Sequence, residues 1–178
     1  LHANLNTKIF KMKTFSIINF VVFQLCWLLA ATYQQQAVFY IVGLLSIHFL
    51  LSPTKLADLE ILVIALVGIV IDQLLIILHV IQLPENATTP ATIPLWLMLL
   101  WCSFSWCFNH SLQWLNKLTQ TQLAVLGAVF GTLSYTAALQ LNVFNSVLPT
   151  LYFVAVLAII WALLLPFLVQ MSLLISNE

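Results

Sequence analysis

The stretch that decides the fold is Leu62-Val63-Ile64-Ala65-Leu66-Val67-Gly68-Ile69-Val70-Ile71-Asp72-Gln73-Leu74-Leu75-Ile76-Ile77-Leu78-His79-Val80-Ile81. As a helix it has the roughly 20 residues needed to cross about 30 Å of hydrocarbon. Asp72 is the single formal charge in it. A carboxylate at that depth costs roughly 2.5–3.5 kcal/mol on insertion scales, so it is expected to face protein or water rather than lipid. Ala65, Gly68, Asp72 and His79 follow at helical steps and share one face. Small residues beneath an acid predict a close helix contact with a polar pocket above it.

The rest of the chain has the same character. Of 178 residues, 63% are hydrophobic and 6% charged, against about 25% charged in soluble domains. So few polar groups cannot clothe a soluble fold, and the bilayer becomes the solvent. Continuous rather than alternating apolar runs exclude a β-barrel. Six runs stand out, at Thr14–Thr32, Ala37–Leu51, Leu59–Ile81, Ile93–Leu115, Gln122–Leu139 and Leu151–Ile175. The expected fold is therefore all-α: a polytopic membrane protein, a compact bundle of six transmembrane helices. The short second run is expected to fold back from the first through a tight turn at Tyr33-Gln34-Gln35-Gln36.

The lysines set the orientation. Lys8, Lys11 and Lys13 precede the first run, Lys55 lies between the second and third, and Lys117 between the fourth and fifth. Six crossings with both termini inside place all five on the cytoplasmic side. Residues 1–13 then read as a cytoplasmic lead, 14–175 as the membrane domain and 176–178 as a cytoplasmic tail. Met12, standing just before the first run, competes with Leu1 as the true start, which would make part of the lead an artefact. The first run is expected to be retained rather than cleaved as a signal peptide, because cleavage would put the later lysines outside. Asn86-Ala87-Thr88 in the long third connection fits a glycosylation acceptor, a pattern without consequence in a bacterium.

Net charge is zero and arginine is absent, which argues against nucleic acid as a partner. Cys26, Cys102 and Cys107 lie in apolar runs without CxxC spacing and read as core residues. His48 and His110 fall at similar depth, but two histidines without a close carboxylate or HxxxH spacing do not make a metal site. Neither metal nor cofactor is expected.

Polar residues inside the runs are the candidates for function. In the fourth run Cys102, Trp106, Asn109 and Gln113 recur at four, three and four, with His110 and Trp114 beside them. Successive helical residues diverge by about 100°. Asn109 is therefore expected to face Trp106 and Gln113, and His110 the second or fifth run. The indole N–H groups of Trp101 and Trp106, deep in the same run, each want a partner. In the fifth run Gly127-x-x-x-Gly131, then Ser134, Tyr135 and Ala138, form a small-residue ridge. That ridge suits either a neighbouring helix or oligomerisation through Gly127 and Gly131. Pro166 is expected to kink the sixth run.

By depth, Asn19, His48, Asn109, His110 and Gln113 form a cytoplasmic layer. Asp72, Gln73, Cys102, Ser134 and Tyr135 form a second, with Gln24 between. Asp72 and His110 differ by roughly 10–15 Å in depth, so they are not read as a pair. The candidate polar interior comprises Asp72, Asn109, His110, Gln24, Trp106, Gln113, Ser134 and Tyr135.

Several stretches together carry a resemblance. They are Phe23-Gln24-Leu25-Cys26-Trp27, Gly68-x-x-x-Asp72-x-x-Leu75, Pro94-Leu95-Trp96-Leu97, Asn109-His110-Ser111-Leu112-Gln113-Trp114-Leu115, Gly127-x-x-x-Gly131-x-x-Ser134-Tyr135 and Trp161-Ala162-Leu163-Leu164-Leu165-Pro166. The chain resembles, over nearly its whole length from Met12, a bacterial integral inner-membrane family known as domain of unknown function number 2878. It departs from that pattern at Thr132, where proline is expected. The resemblance implies a multi-pass protein of the bacterial inner membrane and no established activity, so whether the chain is an enzyme stays open. From the residues, the leading expectation is binding or transport of a small or lipid-like apolar molecule through the polar interior, with membrane lipids around it. The alternatives are a membrane-embedded enzyme on lipid or isoprenoid, with His110 or Asp72 as acid–base group, and a structural accessory subunit of a membrane complex.

Overall fold

A computed structural model describes the backbone of residues 2–83 and 92–176, and side chains from residue 12 onward within those ranges. The side chains of Lys8 and Lys11 and the acceptor Asn86-Ala87-Thr88 lie outside the described residues.

Helix α1 (His2–Tyr33) meets α2 (Val38–Leu51) through a 3₁₀ turn, Gln34–Ala37. Gln34 takes φ = 49° there, the left-handed conformation that reverses the chain. Asn19 Nδ2 and His48 Nε2 then lie 3.1 Å apart, whereas a straight helix would separate residues 19 and 48 by about 44 Å. The expected hairpin is therefore present. Pro53, which cannot continue a helix, follows α2. Short α3 (Lys55–Glu60) leads almost directly into α4 (Leu62–Ile77).

Two runs are shorter as helices than they read. Helix α4 ends at Ile77, and His79 sits beyond it at φ = 57°, exposed and off the Asp72 face. Helix α5 (Leu95–Asn109) starts after Pro94 and stops at Asn109, followed by a 3₁₀ turn over Gln113–Lys117. Thr119 and Gln122 form a reciprocal capping box that opens α6 (Gln120–Leu126). One turn of π-helix, Gly127–Gly131, joins α6 to α7 (Thr132–Gln140). Helix α8 (Thr150–Ser176) carries Pro166 in its interior.

Contacts sort the elements into two ends. Asn19, Ser52, Asp58 and Asn109 to Ser111 meet at one end through hydrogen bonds. Lys13, Lys55 and Lys117 adjoin this end and are exposed. At the other end Gln82 and Asn145 exchange backbone hydrogen bonds of 2.8 and 2.7 Å, tying the loop after α4 to the loop before α8.

The middle of the bundle is organised by two tryptophans between two glycines. Trp101 of α5 and Trp161 of α8 stack with centroids 5.9 Å apart and planes 11° from parallel. A Cβ on Gly68 would overlap the Trp101 ring, and one on Gly131 would overlap the Trp161 ring. A Cβ on Gly127 would collide with the Trp161 carbonyl. The glycines thus let α4 and the π turn close on the two faces of the stack. Gly127 and Gly131 are buried in this contact within the chain.

The surface is apolar where a soluble protein would be polar. Phe39 is 86% exposed and Leu151 77%, while Asn19, His48, Asp58 and Asp72 are buried at 2% or less. Four stretches are long and apolar enough to cross a membrane: Met12–Leu51, Lys55–Ile77, Gln120–Gln140 and Thr150–Ser176. The first is the hairpin, and α5 is a shorter apolar helix. With polar groups inside and apolar groups outside, the bilayer is the solvent this chain fits.

Candidate functional site

Asp72 stands one turn after Gly68 on α4, and Tyr135 one turn after Gly131 on α7. The glycines set the helix distances, and the residues one turn on then meet. Trp101 Nε1 donates to Asp72 Oδ2 at 2.6 Å, and the Tyr135 hydroxyl donates to Asp72 Oδ1. Asp72 is fully buried and shares its face with Gly68, as expected. Trp27 Nε1 of α1 donates to Ser134 Oγ of α7 at 3.0 Å. Gln73 accepts from the Ile93 backbone N–H at 2.8 Å, fixing the chain ahead of α5.

Beside this cluster lies a cavity of about 640 Å³, within the roughly 300–1,000 Å³ range of small-molecule pockets. It occupies the gap between α1 and α6–α7, which pack on α5 and α8 but not closely on each other. Its wall is aromatic and aliphatic, with Asp72, Gln24, Ser134 and Tyr135 as its main polar groups. Phe20, Phe130 and Leu133 line it and are also half or more exposed, so its mouth is apolar and opens sideways. The Trp27–Ser134 hydrogen bond bridges the gap.

Asn109, His110 and Trp106 do not line this cavity. They converge on Asp58, three residues after Lys55 and not among the candidates read from the sequence. Lys55 is exposed, while Asp58 is fully buried. Its Oδ1 accepts from Asn109 Nδ2 at 3.0 Å and His110 Nε2 at 2.9 Å. Its Oδ2 accepts from Ser52 Oγ at 2.5 Å, and its backbone carbonyl from Trp106 Nε1 at 2.8 Å. The expectation that Asn109 and His110 serve different neighbours is corrected. The 100° divergence holds only inside a helix, and α5 ends between them, His110 having φ −129° and ψ −88°. Gln113 is exposed in the turn beyond, donating to the Asn109 carbonyl at 2.5 Å.

A second chain of bonds joins this cluster. Ser111 Oγ donates to Asn19 Oδ1 at 2.6 Å, leaving Asn19 Nδ2 to donate to His48 Nε2. That assignment puts the imidazole proton on His48 Nδ1, which is buried without a partner among the described residues. His48 stacks on Trp106 with centroids 4.8 Å apart, and Phe15 packs against both His48 and His110. These side chains cross-link α1, α2, α3 and the end of α5. Cys26 and Cys107 are buried free thiols, and Cys102 is a half-buried one.

The eight candidate residues thus fall into two groups. Asp72, Gln24, Ser134 and Tyr135 border the cavity. Asn109, His110 and Trp106 hold Asp58, with Gln113 at their edge. Two polar layers were legible from depth alone; Asp58, the acid at the centre of the Asn109–His110 layer, was not.

A family model described as Protein of unknown function (DUF2878) matches residues 16–167. No curated protein and no solved structure matches the chain.

Proposed function

The chain belongs to this family of proteins of unknown function, and we propose that it binds, or passes along, a lipid-like apolar molecule taken from the bilayer into the cavity between α1 and α7. One observation carries this reading: a cavity of about 640 Å³ has a largely apolar wall, a sideways apolar mouth and few polar side chains, Gln24, Ser134, Asp72 and Tyr135 chief among them. An elongated apolar body would lie along the aromatic wall, and its polar end would meet Gln24, Ser134 and the Asp72–Tyr135 pair. The Trp101–Trp161 stack holds that wall rigid, so little ordering free energy is spent on binding. For an enzyme, the reacting group at the cavity would be Asp72 or Tyr135, and these are bonded to one another.

In the same reading the hairpin α1–α2, then α3–α4, α5, α6–α7 and α8 make six crossings of the bacterial inner membrane. Both termini are cytoplasmic, because Lys13, Lys55 and Lys117 adjoin one end of the bundle. The Asp58 cluster then lies near the cytoplasmic face and clamps four elements. Binding is tested by gentle extraction followed by mass spectrometry of copurified lipids, comparing the native chain with Ala138→Phe, which fills the cavity wall. An enriched lipid in the native chain, depleted in the variant, is expected. Identical lipid complements in both would remove the reading.

A further inference from the structure

We infer that the occupant of this cavity is an uncharged lipid: a long apolar body ending in a hydroxyl or carbonyl, without phosphate, carboxylate or ammonium. The inference rests on the binding reading above and names the ligand class.

Among the described residues, the cavity wall holds Asp72 and Tyr135 and no lysine or histidine. Lys13, Lys55 and Lys117 are exposed at one end of the bundle, and the chain has no arginine. A phosphate or carboxylate drawn into the cavity would lie beside Asp72 with no cation among the described lining residues to offset it. Burying an unpaired ion is among the costliest steps available to a protein. Anionic lipids are therefore excluded.

An ammonium is disfavoured for a different reason. Asp72 borders the cavity from behind Trp101 and Tyr135. Each of its oxygens already accepts one hydrogen bond, and the side chain is fully buried. A cationic head is not offered a bare carboxylate. It would have to displace an indole whose faces are held by Gly68 and Trp161.

What the cavity does offer is neutral. The Gln24 carboxamide is exposed on α1, lines the cavity, and has no hydrogen-bond partner among the described residues. In hydrocarbon such an amide is costly to leave unmet. Ser134 accepts from Trp27 and keeps its own hydroxyl proton to donate. An amide and a hydroxyl together provide donors and acceptors without net charge, which is the complement of a hydroxyl or carbonyl end group. The mouth formed by Phe20, Phe130 and Leu133 leads to the bilayer side, where uncharged lipids reside.

Five of the six tryptophans line the cavity, so the native chain reports its own occupancy. The full-length protein is placed in phosphatidylcholine nanodiscs. Brominated diacylglycerol, a brominated isoprenoid alcohol, brominated fatty acid, brominated phosphatidylglycerol and a brominated alkylamine are each titrated at low mole fraction. Saturable quenching by a neutral probe, at least about tenfold tighter than any charged probe, is expected. Which of the two neutral probes binds tighter tells an acyl body from an isoprenoid one. Gln24→Lys should improve fatty-acid binding by about tenfold or more, since it supplies the missing cation. Charged probes that match the neutral ones, and are lost in Ala138→Phe, would overturn the uncharged class while leaving the binding reading standing. No saturable quenching by any probe, or quenching unchanged by Ala138→Phe, would overturn both.

Discussion

Asp58→Ala tests whether the buried cluster near the lysine-bearing end holds the bundle together. The change strips the acceptor from three donors at once: Ser52 Oγ, Asn109 Nδ2 and His110 Nε2. Ser52 is 4% exposed and His110 6%, so water cannot replace the carboxylate. Each stranded buried donor costs about 1–3 kcal/mol. The three share one acceptor and do not add independently. Removing one partner of a buried pair, about 3–5 kcal/mol, is the better guide to the total. For a chain of this length about 1 kcal/mol moves the melting midpoint by about 2–4 °C, so a fall of roughly 6–20 °C is expected. Asp58→Asn keeps an oxygen for Asn109 or His110 but loses the acceptor for Ser52, and should cost about 1–3 kcal/mol. The Trp106 bond goes to the backbone carbonyl and survives both changes. Melting of the purified protein in detergent, followed by tryptophan fluorescence and checked for monodispersity by gel filtration, reads these shifts. In a His110→Ala background the same Asp58→Ala change should cost less, by about 0.5–3 kcal/mol, because one donor is already gone. An alanine variant that melts within about 2 °C of the native chain would refute the clamp. So would full additivity in the double variant.

Gly68→Ala should destabilise by about 1–3 kcal/mol through overlap with the Trp101 ring. Gly43→Ala, with open space at its Cβ, should be neutral or gain about 0.5–1 kcal/mol; equal loss from both in the same melting assay would contradict the glycine–tryptophan packing. Trp27→Phe removes the bond that bridges α1 and α7 and should cost about 0.5–1.5 kcal/mol, read as faster proteolysis at the mouth; unchanged cleavage kinetics would mean the bridge holds nothing. For topology, alkaline phosphatase fused at Asn86 should be active and at Lys117 inactive, and the reverse pattern would overturn the orientation.

Much of the architecture is dictated by the chain itself. Continuous apolar runs with 6% charge leave helices in a bilayer as the only way to satisfy the backbone. The helix period alone puts Gly68 and Asp72 on one inward face, and the rise per residue alone separates the polar groups into two layers. What the sequence left open is where helices stop and which side chains meet across them. Helix α5 ends at Asn109, so His110 turns out of register and joins Asn109 on one carboxylate. Asp58, between Lys55 and Glu60 in the most charged short stretch after the second run, has nothing local to mark it as buried; only the packing of α2, α3 and α5 removes it from solvent. The Trp101 and Tyr135 partners of Asp72 lie 29 and 63 residues away, a distance at which no periodicity carries information. Likewise Gly127 and Gly131 suit a second copy and a neighbouring helix equally well by spacing. Trp161, brought against both by the fold of α8, fills from within the chain the space their missing side chains leave.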